Sequence, residues 1–265
     1  MTHSLPKQTG ESVRGFANRG LLLVVAAPAE ARAVRAGVGV TPPENKSESW
    51  SVEPLAPGVD LIETGVGKAQ AAAGTAWALD PEHHSGVLSL GLAGALPTAN
   101  LHGPAPIGSA VLATRSVLAD EGVRTPDGFL DIGEVGFPPG SPDGGFGPDG
   151  MAGDPGWMTT LEGICDRSGI IATVSACSGT DEAAREVAER TAAIAENMEG
   201  AAVAAALSRL PRVGRSAPIR FAEIRVISNT TGDRDRQVWG LPEALERLGT
   251  LAADAVRVLQ HAGQP

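Results

Sequence analysis

Only two cysteines, Cys165 and Cys177, occur in 265 residues. Neither their number nor their spacing makes a metal-ligand set or a disulfide framework, so both read as buried, reduced thiols of a cytoplasmic protein. Basic residues are scarce too: 21 Lys and Arg stand against 31 Asp and Glu, a formal net charge of -10. Proteins that grip nucleic-acid polymers neutralise phosphates with a basic face, which excludes that partner but not a small nucleoside. Long apolar runs are missing. The run at 21–27 falls far short of the ~20 residues that span a bilayer, and residues 1–20 are polar with no apolar signal-peptide core. No membrane partner is expected. Residues 1–20 read as a loose, disordered extension ahead of a single domain over 21–262.

Complete signature motifs are lacking as well. Gly65-Val-Gly67-Lys68 starts like a dinucleotide fingerprint, but Gln70 stands where the third glycine belongs. It is no phosphate-binding P-loop either, because Ile62 and Ala69 occupy the first glycine and the hydroxyl positions. It reads as a tight turn that lets the following helix pack close to the sheet. His83 and His84 are adjacent in a loop and cannot chelate an ion as a helical pair would; with His102 they read as solvated side chains. Ser175 and Ser178 have no His and Asp partners at recognisable positions, so a hydrolase triad has no support. No metal site is indicated.

What is present is 42% hydrophobic residues in strand-like runs that alternate with helical patterns. Runs at 21–27, 59–63, 87–90, 107–114, 170–175, 192–196 and 221–227 read as strands. Helical patterns follow at Arg32 and Val34, at 68–79, 181–191 and 201–210, and in the closing series Leu241, Leu245, Leu248, Ala252, Ala255 and Leu259. Such alternation predicts an α/β fold, three-layer α/β/α, with a mixed, largely parallel central sheet. Residues 136–157 hold eight glycines and five prolines, a composition no packed element uses, and read as a long surface loop or lid.

Four signals stand at the ends of apolar runs: Glu30 after the first, the small-residue stretch Gly91, Leu92, Ala93 and Gly94 after the third, Met198 with Glu199, and Ser228 with Asn229 after the last. Ligand sites of open α/β sheets sit at the carboxyl ends of strands. Carboxylate and amide chemistry at those ends suits a sugar and a base rather than a phosphate.

Taken in order, Ala27-Pro-Ala-Glu30, Thr64-Gly-Val-Gly-Lys68, Gly91-Leu-Ala-Gly94, Asp120-Glu-Gly122 with Pro126-Asp-Gly-Phe-Leu130 and Gly136-Phe-Pro138, Glu196-Asn-Met-Glu-Gly-Ala-Ala202 and Ser228-Asn229 with Gly232-Asp-Arg-Asp235 and Trp239 resemble the nucleoside phosphorylase/nucleosidase superfamily. Within it they are similar to the futalosine hydrolases, enzymes of a route to menaquinone. The resemblance covers residues 21–262. It implies a nucleoside phosphorylase-like fold, cleavage of an N-glycosidic bond, a small-molecule nucleoside substrate, no cofactor and a homo-oligomer.

Cleavage passes through an oxocarbenium-like sugar, so the site must stabilise positive charge on the ribose and negative charge on the departing purine. Glu30 is then the catalytic carboxylate that orients and deprotonates water; otherwise it is a first-turn glutamate favoured by the helix dipole. Glu199 accepts from ribose hydroxyls and Met198 packs under the sugar. Asn229 stands where adenine-specific relatives carry aspartate. Its amide can donate to O6 of hypoxanthine and accept from N7–H, although asparagines also simply cap turns. Phosphorylases of the superfamily bring arginines to the first loop and to the strand before Gly91; here both segments lack one, with Arg32 nearby, which favours water over phosphate. Phe129 and Phe137 are the candidates for stacking on the base, because 176–179 holds no phenylalanine. For the substrate's carboxylate the candidates are Arg115, Arg124, Arg225, Arg234 and Arg236, the last two being read first as surface partners of Asp233 and Asp235. Residues 208–220 read as an insertion.

Overall fold

The computed structural model describes residues 20–41, 50–97, 103–137, 150–209 and 219–262. The first strand, β1 (Gly20–Val25), is buried at every position, as a strand covered on both faces must be. It leads through Ala26 and Ala27 into α1 (Pro28–Val38), where Pro28 pre-sets the first turn and Glu30 turns its carboxylate back to the chain entering the helix. An antiparallel pair follows, β2 (Val52–Ala56) and β3 (Val59–Glu63), then α2 (Lys68–Ala78) and the long strand β4 (His84–Ala95). Gly91–Gly94 therefore lies inside a strand and forms no turn. After β5 (Ala110–Leu118) comes a small hairpin, β6 (Gly122–Thr125) and β7 (Gly128–Asp131), which the sequence reading did not anticipate.

The expected loop 136–157 is structured in its described part. Met151–Ala152 (β8) pairs with β5, α3 (Pro155–Glu162) begins with an Asp154 cap, and Trp157 is buried. Residues 138–149 lie outside the described residues, as do 1–19, His102 and the 210–218 portion of the expected insertion. The remainder alternates β9 (Arg167–Thr173), α4 (Asp181–Thr191), β10 (Ala193–Asn197), α5 (Gly200–Arg209), β11 (Arg220–Thr230) and α6 (Leu241–Ala262).

The sheet is mixed, and it is not open along its whole width. Strands run in the order β10-β9-β5-β11-β4-β1-β3-β2, but β10 also pairs back onto β4 through Ala195 with Ala95 and Glu196 with Gly94. The sheet thus closes into a partial barrel, from which β1, β3 and β2 extend as a wing. Alternate residues of β1 face opposite ways. Leu21, Leu23 and Val25 join α1, α3 and α6 in one core, while Leu22 and Val24 join α2 and α5 in another.

Candidate active site

Four strand ends meet on one side of this sheet, those of β1, β4, β10 and β11; β1, β10 and β11 lead to polar side chains, and β4 contributes small residues and the Leu92 N–H. Glu30 sits just past β1 at the third position of α1 and is 6% exposed. Its Oε2 accepts from the backbone N–H of Ala26 at 3.0 Å and of Ala27 at 2.9 Å, and its Oε1 from Leu92 N–H on β4 at 2.8 Å. The carboxylate is held rather than solvated; its contacts with Ala26 and Ala27 cap the first turn of α1, and the third ties it to β4. Glu199 approaches from the start of α5. Its Oε1 accepts from Gly67 N–H at 3.1 Å, and Oε2 lies 3.6 Å from Nη1 of Arg225. Gly67 adopts φ 100°, a left-handed conformation open to glycine, which presents that N–H. Burial pushes the Glu199 acidity towards higher pKa, while Arg225 and the Gly67 N–H pull the other way.

Arg225 had been only one of five arginine candidates for a distant carboxylate. It is instead the buried centre of this site, 1% exposed, projecting from β11 beneath Gly91. Its Nε donates to Glu223 at 2.8 Å and its Nη2 to Ser89 Oγ at 2.9 Å, while buried Nη1 has no hydrogen-bond partner among the described residues. A Cβ on Gly91 would come within 2.3 Å of that Nη1 and 2.7 Å of Glu30 Oε1, so cation and carboxylate are neighbours across the space the glycine leaves open. Glu223, also 1% exposed, accepts in addition from Asn197 Nδ2 at 2.7 Å and from the Ser116 hydroxyl. Asn197 in turn takes the N–H groups of Glu199 and Gly200 on its Oδ1, at 2.7 and 2.9 Å. That caps α5 and fixes where Glu199 stands.

The second part of the site is a cavity of about 300 Å³ lined by Gly94, Ser178, Glu196, Asn229, Arg234 and Trp239, among others. Its floor is Gly94, flanked in register by Glu196 on β10 and by Asn229 on β11. Pairing of β11 with β4 slips between Ile227 and Asn229, so Ser228 is an extra residue, and the bulge turns Asn229 towards the cavity. Ser228 Oγ lies 2.8 Å from Asn229 Oδ1 and 3.3 Å from Ala93 O, and Asn229 Nδ2 donates to Thr230 O at 2.9 Å.

Three sequence expectations change here. Phe129 does not reach this cavity: Arg190 lies 4.1 Å from its ring centroid, and it lines a separate cavity of about 530 Å³ with Arg115 and Glu134. Phe137 is 72% exposed. The aromatic ring at the cavity is Trp239, with the Arg234 guanidinium 4.9 Å from its centroid; Arg234 donates to Gln237 Oε1 at 2.9 Å, and among the described residues it has no aspartate partner. Arg236 does form one, with Asp233 and Asp181. Arg32 is exposed on α1 and faces a groove against α6, so it brings no charge to the site. Met198 lines a wider cavity of about 670 Å³ alongside Gly67, Lys68, Glu121 and Ser175. There Lys68 pairs with Asp120 at 2.6 Å and Glu121 at 3.2 Å. Cys177 is exposed as a residue, contrary to expectation, yet partial burial of its thiol, with the Glu196 and Glu199 carboxylates nearby, pushes its pKa up to about 11.

Among the described residues one trio places potential metal-ligand atoms together, Asp60, His83 and His84, at the opposite ends of the strands. The two adjacent histidines do converge, both Nε2 atoms approaching Asp60 Oδ2, at 3.1 and 3.0 Å. However, Nδ1 of buried His84 accepts from Asp80 N–H at 3.1 Å. That leaves the ring proton of the neutral imidazole on Nε2, donating to Asp60, and the trio reads as a hydrogen-bonded structural cluster.

The Phosphorylase superfamily matches the chain over residues 23–261. A futalosine hydrolase of Acidothermus cellulolyticus is 36% identical over 234 residues, covering 86% of this chain and 86% of its own. One from Streptomyces coelicolor is 32% identical over 252 residues, covering 91% and 96%. Among solved structures, the 5′-methylthioadenosine/S-adenosylhomocysteine nucleosidase of Neisseria meningitidis superposes with a TM-score of 0.67 at 20% identity, covering 90% of this chain and 99% of its own. The corresponding Streptococcus pneumoniae enzyme gives 0.68 at 18% identity, covering 90% and 99%. At such identities the structural likeness speaks for the fold.

Proposed function

Since the chain belongs to the Phosphorylase superfamily and, within it, to the futalosine hydrolases, we propose that it hydrolyses the N-glycosidic bond of futalosine, releasing hypoxanthine on the route to menaquinone. The observation that carries the choice of water over phosphate is the charge around Arg225. One guanidinium there faces the carboxylates of Glu223, Glu199 and Glu30. A phosphate dianion entering that excess of negative groups is repelled, whereas a neutral water can accept from the unpartnered Nη1 and donate to Glu30.

In this reading water held between Arg225 and Glu30 attacks the anomeric carbon as the bond to N9 breaks. Its proton passes to Glu30, and the bonding pair leaves with the base. Glu199 holds the ribose hydroxyls against the oxocarbenium-like transition state, with Met198 beside the sugar. The base lies in the cavity over Gly94, backed by Gly91, Leu92 and Ala93 of β4. It takes a proton from solvent at N7, where the Asn229 oxygen accepts it, while the Asn229 NH₂ donates to O6 and Ser228 orients the amide. Arg234 and Trp239, half exposed, close the cavity mouth and supply the stacking expected of Phe129. The wing covered by helices on both faces is the three-layer part of this scaffold. Exposed Val66 and Trp77, at 55% and 71%, favour a homo-oligomer. Among the described residues no helix is long and apolar enough to cross a membrane.

The test is to incubate the protein with futalosine, inosine and methylthioadenosine, with and without phosphate, and to measure free base and the sugar product. Phosphate-independent hypoxanthine release from futalosine, with a free anomeric hydroxyl on the product, is expected. Strict phosphate dependence or a sugar 1-phosphate would refute it.

A further inference from the structure

The pose above leaves one edge of a 6-oxopurine without a partner, its N1–H, and the cavity holds one buried ionisable group that the reaction does not use. Glu196 is 2% exposed, on β10, and lines the same space as Asn229. Glu196 and Asn229 are the register partners of Gly94 from its two sides. With neighbouring strands ~4.8 Å apart, their backbones lie on the order of 10 Å from each other, with a residue that has no side chain between them. Thr231 Cγ2 and Asn229 Nδ2 take up the space that a Gly94 side chain would fill, 2.8 and 3.2 Å from its Cβ position, and a base in the cavity that Gly94, Glu196 and Asn229 line together meets an amide from β11 and a carboxylate from β10.

The Glu196 carboxylate is held in place. Oε1 accepts from Ser178 N–H and Oε2 from Ser178 Oγ, both at 2.7 Å. Each carboxylate oxygen has a second lone pair, so both can accept again. Two consequences bear on which base fits. The Ser178 N–H is occupied by Glu196 and is not free to donate to a ring nitrogen. The group offered in its place is an acceptor. Burial pushes the acidity of Glu196 towards higher pKa, and the two Ser178 donors oppose that by favouring the ionised form.

Resting on the futalosine reading, we propose that Glu196 is a specificity residue: its carboxylate accepts the N1–H of hypoxanthine and rejects adenine, whose N1 presents a lone pair to it. Asn229 and Glu196 then read the base jointly, O6 and N7 on one side and N1 on the other. A site built around such a hydrogen bond discriminates strongly, because the wrong base leaves a buried polar group unpaired.

The experiment measures kcat/KM for futalosine and for its 6-amino analogue in the wild-type protein, E196Q and E196D. Wild type should favour futalosine. E196Q should lower that preference by about 10²-fold, since its NH₂ meets N1–H of hypoxanthine but can donate to N1 of adenine. E196D keeps the acceptor and should retain the preference. A purely structural Glu196 would slow both substrates alike, and an unchanged ratio overturns the proposal. A second measurement needs no variant: hypoxanthine labelled with ¹⁵N at N1, bound to wild-type protein, should show an N1–H proton shifted downfield and protected from exchange. Exchange as fast as in free hypoxanthine overturns the proposal. Wild-type protein that leaves futalosine intact would instead refute the functional reading, and the labelled-hypoxanthine measurement would still decide the role of Glu196.

Discussion

Replacing Glu223 by glutamine should reveal what holds the centre of the site. The side chain is 1% exposed and accepts from Ser116 Oγ, from Asn197 Nδ2 at 2.7 Å and from Arg225 Nε at 2.8 Å. Glutamine can keep this pattern, with its oxygen towards Asn197 and Arg225 and its NH₂ donating to the Ser116 hydroxyl. Glu223→Gln therefore removes charge while retaining shape and hydrogen bonds. Removing one partner of a buried ion pair costs about 3–5 kcal/mol. Here Glu199 remains 3.6 Å from the guanidinium, so the expected loss is about 2–4 kcal/mol. The guanidinium should also shift towards Glu199 and Glu30, and a displacement on the order of 1 Å in a catalytic group can cost about 10²-fold in turnover. Urea denaturation with linear extrapolation and steady-state release of hypoxanthine measure the two effects. A variant within about 1 kcal/mol of wild type and equally active would show that Glu223 does not hold Arg225.

Other substitutions probe the neighbouring groups. Glu30→Gln should leave the fold and substrate binding near normal while kcat drops by roughly 10²–10⁴-fold; unchanged turnover would place the base elsewhere. Gly91→Ala adds a Cβ 2.3 Å from Arg225 Nη1 and 2.7 Å from Glu30 Oε1, so kcat should fall by about 10²-fold or more in a protein whose circular dichroism is unaltered. Asn229→Asp should narrow or reverse the preference for futalosine over its 6-amino analogue at slightly acidic pH, where a protonated aspartate donates to N7. A constant ratio of kcat/KM would remove Asn229 from base reading. The pH profile has a defined sign. Burial raises the Glu199 pKa above 4.5, with Arg225 opposing, and the ribose contacts need its ionised form. Activity should therefore be lost as pH falls through a midpoint above 4.5, and an acid limb near 4 contradicts that role.

The strands β1, β3 and β11 and the helices α4 and α6 were legible in the sequence because an apolar run or a 3.6-residue period is a local property that burial enforces residue by residue. Glu30, Glu199, Ser228 and Asn229 were legible for a related reason: a polar side chain that ends an apolar run sits at a strand mouth whatever surrounds it. Tertiary structure alone decided which of these groups meet. Closure of β10 onto β4 rests on pairs such as Glu196 with Gly94, far apart in sequence and without any local signal, and that closure converts Glu196 from an apparent strand residue into a cavity wall. Phe129 lies away from the cavity because the hairpin at 122–131 carries it beside Arg190, while Asn229 pairs with Trp239 and keeps that ring at the cavity. Arg225 looked like any other arginine. Its burial is tolerable only because Glu223, two residues away on the same strand, Ser89 on the next strand and Glu199 from α5 converge on it, and the free energy of a buried charge depends on partners that folding alone brings together.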